Sequence, residues 1–95
     1  MTKYYRLDEN NNPVECDHAT WELDLGTVIE TTTVGRYTIS TAFKGIDYPL
    51  LFETAIFDDW NKEETRIYGK WSTWEEAEEG HQKAVEYVGS ELVPF

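Results

Sequence analysis

The sequence predicts an α+β fold in which an antiparallel sheet of four to five strands is covered on one face by a C-terminal helix. Residues 27 to 57 are rich in Thr, Val, Ile, Tyr and Phe and alternate in polarity, as strands do. Residues 71 to 88 carry apolar side chains at steps of three and four behind a Ser-Thr pair, which is typical of a capped amphipathic helix. Such a chain forms two layers around one core, and its 95 residues predict a single domain spanning 1–95.

The N-terminal quarter is predicted to hold one strand and one short helix. Residues 3–7 have the composition of a strand, and the Asp- and Asn-rich segment 8–13 is predicted to be a turn that begins a hairpin or a crossover. Asp17 is placed to cap a short helix near 17–24, although the apolar spacing there also fits a strand.

Four further strands are predicted, so that the sheet has four strands, or five if the first one joins it. Their ranges are 27–34, 36–43, 50–57 and 65–71. Gly35 can supply the positive φ of a tight turn, which pairs the first two as an antiparallel hairpin. Strand 50–57 carries apolar residues on both faces, which favours a central position. Gly69 is predicted to mark a bulge or a close approach of the helix.

The C-terminal helix is predicted over 73–88 and packs on one face of the sheet. Ser72 and Thr73 each have a Glu three residues later, the spacing of a capping box. Gly80 costs about 1 kcal/mol relative to Ala inside a helix, which predicts close packing against a Trp or the sheet backbone. His81 lies on the apolar stripe, and its simplest interpretation is a histidine at the edge of the core, hydrogen-bonded to backbone or to a hydroxyl.

Charge is the strongest compositional signal. Nineteen acidic and eight basic residues give a net charge of -11. Such a surface repels phosphate backbones, so we expect no direct nucleic-acid binding and favour a partner protein with a basic surface. The alternative is that the charge serves solubility. We expect no membrane span and no secretory signal, and the single Cys16 favours a reducing compartment.

Two large rings in acidic loops are the best candidates for partner binding, because aromatic anchors with a charged rim are typical of interfaces. The predicted partner-binding residues are Asp47, Tyr48, Asp58, Asp59, Trp60, Glu63 and Glu64. The outer face of the helix is a secondary candidate through Glu75, Glu78 and Glu79. A core position for Trp60 is the alternative interpretation of that ring.

Catalytic and cofactor signatures are missing from the sequence: it has no nucleophile elbow, no P-loop and no dinucleotide-binding glycines. We therefore expect a protein that is not an enzyme. The remaining catalytic alternative is a weak hydrolase that uses His81 with Glu53 or Asp47. Residues 16–18 hold three metal-capable side chains, but adjacent residues rarely converge on one ion, so we expect no metal and no other cofactor.

Several segments together carry a resemblance to known proteins. They are Tyr4-Tyr5-Arg6-Leu7-Asp8, Ser40-Thr41-x-Phe43-x-Gly45-x-Asp47, Pro49-Leu50-Leu51-Phe52-Glu53-Thr54-x-x-Phe57 and Ser72-Thr73-Trp74-Glu75-Glu76-Ala77-x-x-Gly80-His81. Their arrangement resembles a family of small, largely uncharacterised acidic proteins of tailed bacteriophages and prophages. In that family a His often follows the loop Asp, whereas Tyr48 stands there in this chain, which argues against catalysis at the loop.

The resemblance implies synthesis in the cytoplasm of an infected bacterial host. It also implies action by binding, as an inhibitor of a host defence protein such as a CRISPR effector, through a basic or nucleic-acid-binding surface of that protein. Alternatives are a sponge for a nucleotide immune signal and a virion or packaging accessory. Pairing of an edge strand, 3–7 or 27–34, between two copies leaves a homodimer as a further alternative.

Overall fold

The structure, a computed structural model, describes residues 2–23, 27–61 and 65–92 and confirms the α+β class. Its elements are β1 Tyr4–Leu7, β2 Pro13–Cys16, α1 His18–Leu23, β3 Thr27–Val34, β4 Tyr37–Phe43, β5 Phe52–Asp58, β6 Thr65–Trp71, α2 Trp74–Tyr87 and a terminal π-helix Val88–Leu92. Within these ranges the last four strands form one antiparallel sheet in the order β3-β4-β5-β6, and α2 packs across one of its faces.

The sheet is a simple meander, and β5 takes the central position that its two apolar faces predict. Gly35, at φ 59°, and Arg36 form the two-residue turn between β3 and β4, so β4 begins one residue later than predicted. The predicted irregularity at Gly69 is confirmed: the register of β6 against β5 shifts between Gly69 and Ile67, leaving Tyr68 as the extra residue of a bulge.

Strand β1 does not join the main sheet as a fifth strand. It pairs with β2. The sequence predicted a turn up to Pro13 and no strand at residues 14–16, so this strand was missed. The two strands form a hairpin because the Asp8 carboxylate accepts the backbone N–H groups of Asn10 and Asn12 at 2.8 and 2.9 Å, and Asn11 takes a positive φ of 64°. Of the two predicted topologies, the hairpin is therefore the one adopted.

The hairpin and α1 are attached to the main sheet through the loop after β4. Tyr5 N–H donates to the Gly45 carbonyl at 2.8 Å, and Trp21 Nε1 donates to the Lys44 carbonyl at 2.8 Å. Gly45 has φ 73°, and a Cβ there would lie 2.5 Å from the Tyr5 carbonyl oxygen, so only glycine fits this contact. As predicted, Asp17 caps α1, accepting the Thr20 N–H at 2.8 Å.

Helix α2 begins at a capping box, as predicted, and the structure identifies Thr73 as its N-cap. Thr73 Oγ1 accepts the Glu76 N–H at 3.1 Å, and Glu76 returns its carboxylate to the N–H and hydroxyl of Ser72. The Ser72 hydroxyl lowers the pKa of Glu76. The helix covers a core whose buried apolar residues are Tyr5, Ile39, Phe43, Leu51, Phe52, Ile56, Ala77, Ala84 and Val88, with Ala55 buried on the other face of the sheet.

The Trp71 ring seats α2 on the sheet and accounts for two glycines. A Cβ at Gly80 would lie 2.3 Å from ring carbons of Trp71, and a Cβ at Gly69 would lie 2.6 Å from the same ring. The ring thus fills a slot between the β6 backbone and the helix. The predicted reason for a glycine within α2 is therefore confirmed.

Candidate functional site

The two loops predicted to form one binding surface lie at opposite ends of the sheet. Residues 44–51 connect β4 to β5, whereas residues 59–64 follow the other end of β5. Strand β5 has seven residues, which at about 3.4 Å per residue separates the two loops by roughly 20 Å. The structure therefore divides the predicted residues between two separate surfaces.

The loop after β5 presents Trp60, whose side chain is 78% exposed, so a core position for this ring is wrong. The ring is nevertheless held in place. It lies 4.8 Å from the Arg36 guanidinium carbon, a cation–π distance, and its backbone N–H donates to Asp58 Oδ1 at 3.0 Å. These contacts reduce the conformational entropy that an exposed indole loses on binding. We refer to Arg36, Asp58, Asp59 and Trp60 as the Trp60 corner.

Asp58 lies in the interior of this corner and not on its surface, since it is only 5% exposed. It accepts hydrogen bonds from Arg36 Nε at 2.9 Å and Arg36 Nη2 at 2.5 Å. It also accepts the N–H groups of Trp60 and Asn61. The hydrogen bonds from Arg36 lower the pKa of the Asp58 carboxyl, against the opposing effect of desolvation. The prediction that Asp58 contacts a partner is therefore corrected, because its contacts make it a positioning residue for the loop.

Asp59 supplies the exposed charge of the corner. Its N–H donates to the Arg36 carbonyl at 2.7 Å, and its carboxylate accepts the Thr38 hydroxyl at 2.7 Å, so the side chain is oriented toward β4. The predicted partner-binding residues do not include Arg36, since its only signal was a cation in a hairpin turn of an acidic chain. Two further predicted residues, Glu63 and Glu64, lie outside the described residues.

At the opposite end of the sheet, Tyr48 is 67% exposed and stacks on Tyr5, with ring centroids 5.2 Å apart and planes at 20°. Asp47 beside it is exposed and adopts a positive φ of 67°. A depression of about 270 Å³ lies next to this loop and is lined by Trp21, Lys44, Ile46, Asp47, Leu50, Glu53 and Lys70. It contains charges of both signs around an apolar wall.

The secondary candidates on α2 are exposed, as an outer helix face should be. Glu75, Glu78 and Glu79 all face solvent, and Glu79 pairs with Lys83 at 3.2 Å one turn later. An exposed pair of this kind contributes only a few tenths of a kcal/mol. These carboxylates form a charged surface, at whose edge Glu79 lines a shallow depression with the partly buried Trp71.

His81 belongs to a hydrogen-bonded chain that reaches all four strands of the main sheet. Its side chain is 1% exposed. Nδ1 lies 2.7 Å from Thr41 Oγ1, and that oxygen lies 2.6 Å from Thr54 Oγ1. Trp71 Nε1 donates to Thr54 Oγ1 at 2.9 Å, and His81 Nε2 lies 2.9 Å from Thr32 Oγ1. The predicted core histidine bonded to a hydroxyl is thus confirmed.

Glu30 determines which nitrogen of the His81 ring carries the proton. Its Oε2 lies 3.1 Å from Nε2. A carboxylate only accepts, so Nε2 donates to it and Nδ1 accepts from the Thr41 hydroxyl. The Trp71 N–H can only donate, so the Thr54 hydroxyl accepts from Trp71 and donates to Thr41. The Thr41 hydroxyl in turn donates to His81 Nδ1. Burial lowers the pKa of His81 and the negative charge of Glu30 opposes this effect, so the ring is neutral and fully bonded.

The catalytic pairing of His81 with Glu53 is corrected by the sheet itself. Thr54 contacts the His81 chain on the α2 side, so its neighbour Glu53 points to the other face, where it lines a depression with Ser40 and Ala42. The sheet separates the imidazole from that carboxylate. The polar partners of His81 do not include Asp47 either.

Neither a metal cluster nor a membrane-spanning helix is found in the described ranges. Within residues 2–23, 27–61 and 65–92, His, Cys, Asp and Glu side chains do not gather in any group of three that would hold an ion. Asp17 caps α1, and His18 lies 3.3 Å from Glu22. None of the described helices has the length and apolarity needed to cross a bilayer.

The fold and its surface define a small two-layer α+β protein with two exposed, firmly held aromatic loops at opposite ends. Compared with protein-family models, curated proteins and solved structures, the chain matches none of them.

Proposed function

We propose that this protein acts by binding, and that the Trp60 corner is its contact with a basic surface of a partner protein. The observation that carries the proposal is an indole that is 78% exposed yet held by Arg36 and by the backbone contact to Asp58. Trp, Tyr and Arg are the residues most enriched among those that dominate binding energies. A side chain already fixed in its bound orientation costs less entropy to bury.

Charge supports a basic partner. The chain carries a net charge of -11, and Asp59, the residue before Trp60, holds an exposed carboxylate on the Thr38 hydroxyl. A negative surface accelerates encounter with a positive one and disfavours nucleic acid. Joined to the resemblance to phage proteins, this supports a role as an inhibitor that occupies the nucleic-acid-binding groove of a bacterial defence protein in the host cytoplasm.

The test begins with affinity capture from a bacterial host lysate, followed by titration of the purified captured protein. Trp60→Ala should weaken binding by about 30-fold or more, since a central anchor contributes about 2 kcal/mol. The single variant Asp59→Lys should also weaken binding, and it should reduce the dependence of the affinity on salt concentration. Tyr48→Ala is the matched control, because it removes a similarly exposed ring from the opposite end of the sheet.

Inhibition is then measured directly in cells that express the protein. Wild type should restore plaque formation by a phage that the host's defence system otherwise blocks, and Trp60→Ala should not. The proposal is refuted if captured protein binds Trp60→Ala and Asp59→Lys as tightly as wild type, or if added salt leaves the affinity unchanged.

A sponge for a nucleotide signal retains one specific observation in its favour. The depression at the Tyr48 end combines the Trp21 ring with Lys44 and Lys70, a stacking surface near two cations. Asp47 and Glu53 line the same depression and would repel phosphate. A rise in melting temperature with added nucleotide, lost in Lys44→Ala, would favour this function over protein binding.

A further inference from the structure

The face of the main sheet opposite α2 is uncovered in the part of the chain that the structure describes. Helix α2 packs on β3, β4, β5 and β6 from one side only, where the His81 chain lies. On the other side, three large apolar side chains are exposed, namely Val28 at 56%, Phe57 at 39% and Ile67 at 51%. We call this side the open face.

The register places twelve residues of the open face in three rows across the strands β3, β4, β5 and β6. The rows are Val28-Ala42-Glu53-Lys70, then Thr31-Ser40-Ala55-Ile67, then Thr33-Thr38-Phe57-Thr65. Five of these residues are apolar, five carry hydroxyls and one each is acidic and basic. A chain of net charge -11 therefore has one broad surface on which the charges sum to zero, also when Lys44 and Asp59 at its two ends are included.

We propose that the open face is a dimerisation surface on which a second copy of this chain packs sheet against sheet. The occupant follows from charge and shape together. A basic partner gains no electrostatic attraction from a surface of zero net charge. A second copy is itself acidic, and the open face is the part of the molecule that repels it least. The open face is also complementary in shape to itself.

In the second and third rows of the face, large and small side chains are segregated. Phe57 and Ile67 lie on β5 and β6, while the facing positions on β3 and β4 hold Thr31, Thr38 and Ser40. A two-fold axis that runs along the strands between β4 and β5 places β5 of one copy over β4 of the other. In these two rows large residues then face small ones, as interdigitated sheet packing requires, whereas in the first row Val28 faces the Lys70 side chain of the second copy.

The same axis places Lys70 over the apolar Val28 of the second copy and brings Glu53 close to a cation. It places Glu53 over Ala42 of the second copy. Lys44 of that second copy lies on the same face as Ala42, because side chains two residues apart point to the same side. Like charges are not superposed. A depression of about 250 Å³ between Ala42, Ala55 and Phe57 receives side chains of the second copy. The axis also leaves both Trp60 corners at the same end of the dimer.

The area predicts a weak, reversible dimer. Strands of about seven residues are about 24 Å long, and four of them about 4.8 Å apart span about 19 Å, which is roughly 450 Å² for each copy. The total of about 900 Å² lies below the roughly 1,200 Å² of standard complexes. Each copy also brings a charge of -11, so added salt should strengthen dimerisation by screening the repulsion.

Sedimentation of the full chain over a range of protein concentrations and salt concentrations tests the proposal. Wild type should shift from monomer to dimer with rising concentration, and more readily in high salt. Ile67→Asp should weaken dimerisation at least about tenfold, because it takes an unpaired carboxylate out of water. Val14→Asp is the matched control, since Val14 is exposed on β2, away from the main sheet.

A charge exchange tests the arrangement without an apolar substitution. Glu53→Lys and Lys44→Glu should each weaken dimerisation roughly threefold when present alone, and an equimolar mixture of the two variants should restore it, as expected for a pair between copies that contributes up to about 1 kcal/mol. Melting curves establish that each variant is folded. The proposal is overturned if wild type remains monomeric up to about 1 mM, or if folded Ile67→Asp dimerises as tightly as Val14→Asp.

Failure here is distinguishable from failure of the proposed function. Partner binding through the Trp60 corner should weaken as salt rises, whereas dimerisation should strengthen. Trp60→Ala should leave the sedimentation of the protein unchanged. Each proposal can therefore fail while the other stands.

Discussion

Replacing Gly80 by Ala has two opposing effects on stability that are of similar size, and the structure determines which one dominates. Alanine is favoured over glycine by about 1 kcal/mol inside a helix. The new Cβ, however, would lie 2.3 Å from two carbons of the Trp71 ring, about 1.2 Å closer than the roughly 3.5 Å at which carbons normally touch. The ring cannot simply retreat, because the backbone of Gly69 lies on its other side.

Overpacking of this kind typically costs 1–3 kcal/mol. A displaced Trp71 also loses the hydrogen bond from its Nε1 to Thr54, measured at 2.9 Å and worth about 1 kcal/mol. We therefore expect Gly80→Ala to lower the free energy of unfolding by roughly 1 to 3 kcal/mol despite its helix propensity. Urea unfolding followed by far-UV circular dichroism gives this value directly.

Gly89→Ala is the matched control, because a Cβ at Gly89 has no atom within 4 Å among the described residues. It should be neutral or stabilising by up to about 1 kcal/mol. In a Trp71→Phe background the ring is smaller, so Gly80→Ala should become less costly, with a coupling energy of about 1 kcal/mol or more. A stabilising Gly80→Ala, or strictly additive effects in this cycle, would refute the packing argument.

Two further predictions concern His81 in the hydrogen-bonded chain and Thr73 at the N-terminus of α2. Because burial lowers the pKa of His81 below its ordinary 6.5, the unfolded chain takes up the proton first. Stability should therefore hold above about pH 6.5 and fall as pH decreases below it, by at most about 1.4 kcal/mol per pH unit from this group. His81→Gln should show a shallower fall in urea titrations, and an unchanged slope would contradict this. Thr73→Ala should cost about 1 kcal/mol of stability by removing the N-cap, whereas Thr73→Ser should retain most of it in the same assay.

Local patterns determined much of this fold from the sequence. Alternation of polarity and Gly35 define the β3–β4 hairpin, and the Thr73-Glu76 pair defines the start of α2, because these signals involve residues close along the chain. Gly80 was interpretable for a related reason. A glycine within a strongly patterned helix has a known cost, and close packing against a nearby Trp is an economical explanation for it.

Non-local pairing decided the rest. The sequence could not reveal that β1 pairs with β2 instead of the main sheet, since a short strand fits either edge equally well. It also counted Asp58 among the exposed acids, although Arg36, twenty-two residues earlier, draws that carboxylate inward. The cation that buries Asp58 and orients Trp60 becomes its neighbour only when β4 and β5 align.

The sequence by itself thus determined an acidic α+β domain with a capped helix packed on one face of the sheet. Only the tertiary structure decided that the two aromatic loops lie at opposite ends and that, among the described residues, the face opposite α2 has no net charge and no element packed on it. The physical reason is the antiparallel meander. Each strand reverses the direction of the chain, so loops that are close in sequence lie a full strand length apart, while residues far apart in sequence assemble into rows on one face.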